Sequence, residues 1–174
     1  GIKDLGLYYF AFNAGSGITL NVVNSITGAI YPDLCSVRKD FRLLRKNYYR
    51  SLKTICFTIV PLVILQSSLA PIYVPLIFGE KWRSAVPIVM MICSSVIPFA
   101  FSYASLLLLN TIEKTYLTLR IDLIYTIAFA LSLLVSVHWG IYWVAACVAL
   151  ANWLVLPVTS IWITRYAFQK VSRL

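Results

Sequence analysis

Residues 33–53, DLCSVRKDFRLLRKNYYRSLK, hold seven of the 15 lysines and arginines in a chain of 174 residues. Arg38, Lys39, Arg42, Arg45, Lys46, Arg50 and Lys53 share this island with only two acids, Asp33 and Asp40, and residues 54–79 carry no charge at all. A soluble basic protein spreads such charge over its surface. Here the remainder is too apolar for that: 60% of residues are hydrophobic, 12% are charged and the mean hydropathy is +0.83, beyond what a domain of this length can bury in its own core. The chain therefore reads as an all-α polytopic transmembrane helical bundle. The island becomes a cytoplasmic basic loop, residues 33–53, held on that side by its positive charge.

A net charge of +9 would otherwise raise nucleic acid as a partner. The charge clusters at membrane boundaries and no nucleic-acid motif accompanies it, so membrane lipids are the expected partner. Each Lys or Arg near an anionic surface is worth roughly 1 kcal/mol.

Working outward from the island, five apolar segments are long enough to cross a hydrocarbon core of about 30 Å, at approximately 8–31, 54–78, 85–109, 119–137 and 143–164. The first is the most polar. Asn13, Gly17, Asn21, Asn24 and Gly28 recur at spacings of four and three, so they share one helical stripe with Ser16 and Thr27 beside it. That stripe is expected to face protein or water, either as a helix-packing surface or as the lining of a transport cavity. Tyr31 and Pro32 mark the inner end of the span.

Inside the island, Phe41, Leu44 and Tyr48 recur at three and four. They suit an amphipathic segment lying along the headgroups, or equally the wet extension of the next helix. In the second span a kink is expected near Pro61 and a broken outer end from Pro71, with Gln66, Ser67 and Ser68 facing the bundle. Residues 79–84 form an outer turn with Trp82 as an interface anchor, and Ser94, Ser95, Ser102 and Ser105 are small packing residues in the third span.

Glu113, Lys114 and Arg120 are read as boundary charges of a second inner loop, and Arg120 is not assumed to pair with Asp122, since residues two apart do not face each other on a helix. Residues 138–143 form a second outer turn in which His138 is an interfacial side chain. Arg165, Lys170 and Arg173 place the C-terminus with the island on the cytoplasmic side, leaving Lys3, Lys81 and Arg83 for the other.

No catalytic residue is assigned. The sequence offers no Ser, His and Asp arrangement, no histidine pair for a metal, no phosphate-binding glycine loop and no paired carboxylates, so neither enzyme activity nor a cofactor is expected. Cys35, Cys56, Cys93 and Cys147 have no metal or redox spacing and read as small buried side chains. The chain begins with Gly1 and reads as the interior or C-terminal part of something longer.

Gly6-Leu7-Tyr8 and Ala11 open the polar span, Tyr31-Pro32-Asp33-Leu34 precede the basic loop, Pro61 sits in the next span, and the run from Phe78 to Pro87, FGEKWRSAVP, forms the outer turn. In that order the pattern resembles the polysaccharide flippase branch of the multidrug/oligosaccharidyl-lipid/polysaccharide exporter superfamily, over nearly the whole chain. The resemblance is to the last five helices, a partial C-terminal lobe of a two-lobe exporter fold whose N-terminal lobe is missing here.

It implies a bacterial inner-membrane protein that moves a lipid-linked oligosaccharide, similar to undecaprenyl-diphosphate-linked glycans, from the cytoplasmic to the outer leaflet by rocking of two lobes. Asn13, Asn21 and Asn24 are then candidates for cavity or lobe contact, and Arg120 for attracting an anionic headgroup near the inner mouth. The competing readings are a drug or small-molecule exporter and a non-transporting membrane assembly protein.

Overall fold

The computed structural model describes residues 2–171 and consists of five long helices: α1 (Ile2–Ser36), α2 (Phe41–Tyr73), α3 (Val86–Thr111), α4 (Thr115–Ser136) and α5 (Ile141–Val171). They run up and down. The turns at 37–40 and 112–114 sit at one end, tied together by an ion pair of 2.8 Å between Arg38 and Glu113. At the other end the α2–α3 and α4–α5 connections meet where the Tyr142 hydroxyl donates to the Ser84 carbonyl at 2.9 Å.

Four segments are long and apolar enough to cross a membrane, Phe41–Phe78, Glu80–Thr111, Thr115–Ser136 and Ile141–Gln169, which makes the chain an all-α polytopic membrane bundle. Helix α1, at 35 residues, has ample length but does not join that set among the described residues. Its asparagines, glycines, serines and threonines lower its hydropathy.

Helix α3 is the centre and packs against every other helix. Half of its most apolar stretch is buried, against 6% for α4, which lies at the edge. Two clusters fill the interior. Towards the basic end, Leu34, Leu44, Tyr48, Ala104, Leu108 and Ala167 interlock, and towards the other end Ala11, Ala70, Val74, Ile88, Val89 and Ala145 do so. Ser95, Ser102 and Ser105 are buried on α3 and Ser94 is half-buried, in line with their packing role. Close approach of α1 and α3 rests on Gly15, where an added Cβ would lie 2.8 Å from the Val89 carbonyl oxygen.

Several local expectations are revised. Helix α1 does not stop at Pro32 but runs on for one further turn to Ser36, although a proline there removes one donor and crowds the carbonyl four residues earlier. The basic "loop" is mostly helix: residues 37–40 are the turn, and α2 begins at Phe41, where the Asp40 carboxylate accepts from the Arg42 and Leu43 backbone N–H groups at 2.9 and 3.1 Å. The island is thus the wet extension of α2.

Its apolar edge does not lie on headgroups. Leu44 and Tyr48 are fully buried, and the Tyr48 hydroxyl hydrogen-bonds Ser105 Oγ at 3.0 Å on α3 and Thr164 Oγ1 at 2.9 Å on α5. Helix α2 continues as α-helix through Pro61 and Pro71, and the winding loosens to a π turn only at Val74–Phe78, around Pro75. Gln66 faces α1 and Ser67 is half-buried, but Ser68 is exposed.

Trp82 is not simply an interface anchor, for it stacks on Phe10 at 4.0 Å. Only Cys93 of the four cysteines is buried, and Cys56 is exposed. The positive φ of Gly79 and Gly140, +94° and +96°, explains glycine at both turns of the end opposite the island. His138 is exposed in the second of them. Arg173 and the side chains of Lys3 and Lys170 lie outside the described residues.

Candidate functional site: the outward faces of α1 and α2

Helix α1 is fixed by its opposite, buried face. Ala11, Gly15, Ser16, Thr19, Val23, Thr27, Ile30 and Leu34 are buried, a repeat of three and four that aims one side at the bundle. The register against α2 is set by polar contacts: Thr19 Oγ1 donates to Gln66 Oε1 at 2.5 Å, Gln66 Nε2 donates to the Ala14 carbonyl at 2.8 Å, and Asn47 Nδ2 donates to Asp33 Oδ2 at 3.3 Å. In an apolar medium such ties hold two helices in one register.

The asparagine stripe lies on the other side. Asn13, Asn21 and Asn24 are all exposed, and nothing stands within 4 Å of a Cβ built on Gly17 or Gly28. Asn13 Nδ2 donates back to the Tyr9 carbonyl at 2.8 Å. None of α2–α5 covers the stripe. The small residue that permits close helix packing is Gly15, outside the stripe and hidden from a count of polar spacing because its partner is a backbone carbonyl.

Arg38, Lys39, Arg42, Arg45, Lys46, Arg50 and Lys53 are exposed without exception. On α2 the spacing of Arg42, Lys46, Arg50 and Lys53 makes one stripe opposite the buried line of Leu44, Tyr48, Ser51 and Ile55. Arg120 is exposed as well, its guanidinium 4.7 Å from the Tyr116 ring centre. It does not join the asparagines, being on α4. Asp122 lines a cleft of about 210 Å³ between α3, α4 and α5, with Ser102, Tyr103, Tyr125 and Thr159.

A second cleft, about 300 Å³, opens between α1, α3, α4 and α5. Tyr8, Phe12, Ser16 and Leu20 line it from α1, facing Phe129 and the Tyr125 hydroxyl, which donates to Asn152 Oδ1. Sequence spacing did not point to this cleft, because its walls come from four helices distant in the chain. Among the described residues no group of three or more His, Cys, Asp or Glu side chains is placed to hold a metal ion.

The family described as "Polysaccharide biosynthesis protein" matches residues 1–87, half of the chain. The chain belongs to the polysaccharide biosynthesis protein family. The matched half contains α1, the basic island and α2, the elements that carry both outward stripes.

Among the curated relatives of this chain is the lipopolysaccharide biosynthesis protein WzxC of Escherichia coli K12, 28% identical over 88 residues, 51% of this chain and 18% of that protein. An uncharacterized membrane protein in the cps region of Klebsiella pneumoniae is 28% identical over 138 residues, 78% of this chain and 28% of its own. The teichuronic acid biosynthesis protein TuaB of Bacillus subtilis is 23% identical over 159 residues, 89% and 33% respectively. The chain thus spans a third or less of each of these relatives. No solved structure matches it.

Proposed function

We propose that this chain is part of a membrane flippase that carries a lipid-linked oligosaccharide or polysaccharide precursor, similar to an undecaprenyl-diphosphate-linked glycan, from the cytoplasmic to the outer leaflet. The observation that carries the reading is the α1 stripe: Asn13, Asn21 and Asn24 share one exposed face of this 35-residue helix, turned away from the other helices. Asn13 spends one amide hydrogen on the Tyr9 carbonyl, and the amide groups of the stripe left without a partner are unfavourable against lipid alone, so the stripe is best satisfied by sugar hydroxyls in a cavity or by another lobe. Relatives named for lipopolysaccharide and teichuronic acid biosynthesis support the substrate class.

In this reading the chain is the partial C-terminal lobe of a two-lobe exporter, with five spans near 8–31, 54–78, 85–109, 119–137 and 143–164. The N-terminal lobe supplies the facing wall. Residues 33–53 and the C-terminus lie in the cytoplasm, and Arg120 attracts the anionic headgroup at the inner mouth.

Reconstituted vesicles test the reading through the leaflet accessibility of a lipid-linked oligosaccharide. Turnover is expected from a two-lobe relative carrying these helices and not from this chain alone, because one partial lobe cannot alternate access. Transport by the isolated chain would overturn the lobe assignment. Orientation is read separately: a cysteine placed at Arg45 is expected to resist labelling from outside intact cells.

A further inference from the structure

The end of the bundle that carries the island also holds a concave site that the basic stripe does not explain. Arg45 departs from the stripe of Arg42, Lys46, Arg50 and Lys53 and lies on the flank of α2 that meets α5. There its guanidinium rests 5.9 Å from the Tyr49 ring centre and 5.8 Å from that of Phe168. These two rings stack at 6.0 Å, and Phe41 closes edge-on against Phe168 at 5.9 Å. Arg165 enters from α5, 120 residues further along the chain, beside Thr164. Together they line an open pocket of about 370 Å³.

No carboxylate is among its walls, and neither arginine has an acidic partner among the described residues, where the ion pairs are Arg38 with Glu113 and Arg83 with Glu80. A guanidinium laid over aromatic faces keeps its N–H edge free for an anion. Beside the pocket on α5, Trp162 stacks on Tyr166 at 5.5 Å, and Ile161 and Trp162 are exposed, side chains of the kind that form an interfacial aromatic belt at headgroup level.

We propose that Arg45 and Arg165 form a two-guanidinium site for the phosphate of an anionic phospholipid headgroup, seated on the Phe41, Tyr49 and Phe168 rings between α2 and α5. The two forks suit the oxygens of one phosphodiester. A headgroup bound there joins the start of α2 to the end of α5, the two segments that the Tyr48 and Thr164 hydroxyls already link beside the pocket. Basic pockets between helices at a membrane surface take such lipids, whereas a convex stripe attracts them diffusely. The site does not depend on the transport reading.

Native mass spectrometry of the full chain released from phosphatidylcholine nanodiscs doped with phosphatidylglycerol or cardiolipin tests this by counting retained lipid. Arg45→Gln with Arg165→Gln is expected to lower retention of the anionic lipid by about tenfold, the loss of two specific contacts. Arg42→Gln with Lys46→Gln removes the same charge from the convex stripe and is expected to change it by less than about twofold. Equal losses in the two pairs would overturn the site in favour of diffuse attraction.

Arg45→Lys with Arg165→Lys preserves charge and serves if the glutamine pair does not fold. It is expected to lose several-fold through the missing forks, and full retention would overturn the geometry. Millimolar inorganic phosphate, compared with chloride at equal ionic strength, is expected to displace no lipid. Displacement would assign the pocket to free phosphate and overturn the headgroup.

Discussion

Tyr48 shows how little a residue's neighbours in sequence reveal of its role. Flanked by Lys46 and Arg50, it is nonetheless fully buried with its hydroxyl bonded to Ser105 and Thr164, and those hydroxyls join Ser160 in one network across α2, α3 and α5. Tyr48→Phe is expected to destabilise the bundle by about 1 kcal/mol, the scale of a side-chain hydrogen bond between membrane helices, read from unfolding in mixed micelles. Gly15→Ala is expected to cost more, about 1–3 kcal/mol, because the new methyl meets a backbone carbonyl that cannot swing aside. Asn21→Leu and Asn24→Leu are expected to shift the chain's own stability by less than about 0.5 kcal/mol, as they touch no other helix. The same changes in a two-lobe relative are expected to lower transport.

At the scale of elements, the junction of α1 and α2 depends on Asp40. Asp40→Ala removes acceptors from two backbone N–H groups and is expected to fray the first turn of α2 at a cost of about 1 kcal/mol, seen as faster amide exchange near residues 42–44. Glu113→Gln at the neighbouring turn is expected to cost less than about 1 kcal/mol, its ion pair with Arg38 being largely exposed.

The existence of the helices was legible because runs such as residues 54–79 leave no other option. Their ends were not. Pro32 suggests an end, yet it lies inside α1, and the broken outer end expected from Pro71 comes three residues later, at Val74, since in a long apolar helix flanking turns and packing outweigh one lost backbone bond. Periodicity puts Asn13, Asn21 and Asn24 on one face of a helix, and all three are exposed. Which neighbour it faces could not be read, because periodicity fixes a face and only tertiary contacts such as Gln66 to Ala14 give that face a direction.

For the molecule as a whole, the pattern of burial separates a tightly held centre from a loosely attached edge. Helices α1, α2, α3 and α5 share both core clusters, while α4 buries only Thr118 and Ser136. Proteolysis or exchange in detergent is therefore expected to open α4 before α1–α3.

The contact of Gly15 with Val89 has a mechanical consequence. At this one point backbone meets backbone with no side chain between α1 and α3, and α3 in turn bears on α2, α4 and α5. That contact resists sliding of one helix along the other, so a displacement of the asparagine face of α1 is expected to carry the half of α3 around Val89 with it.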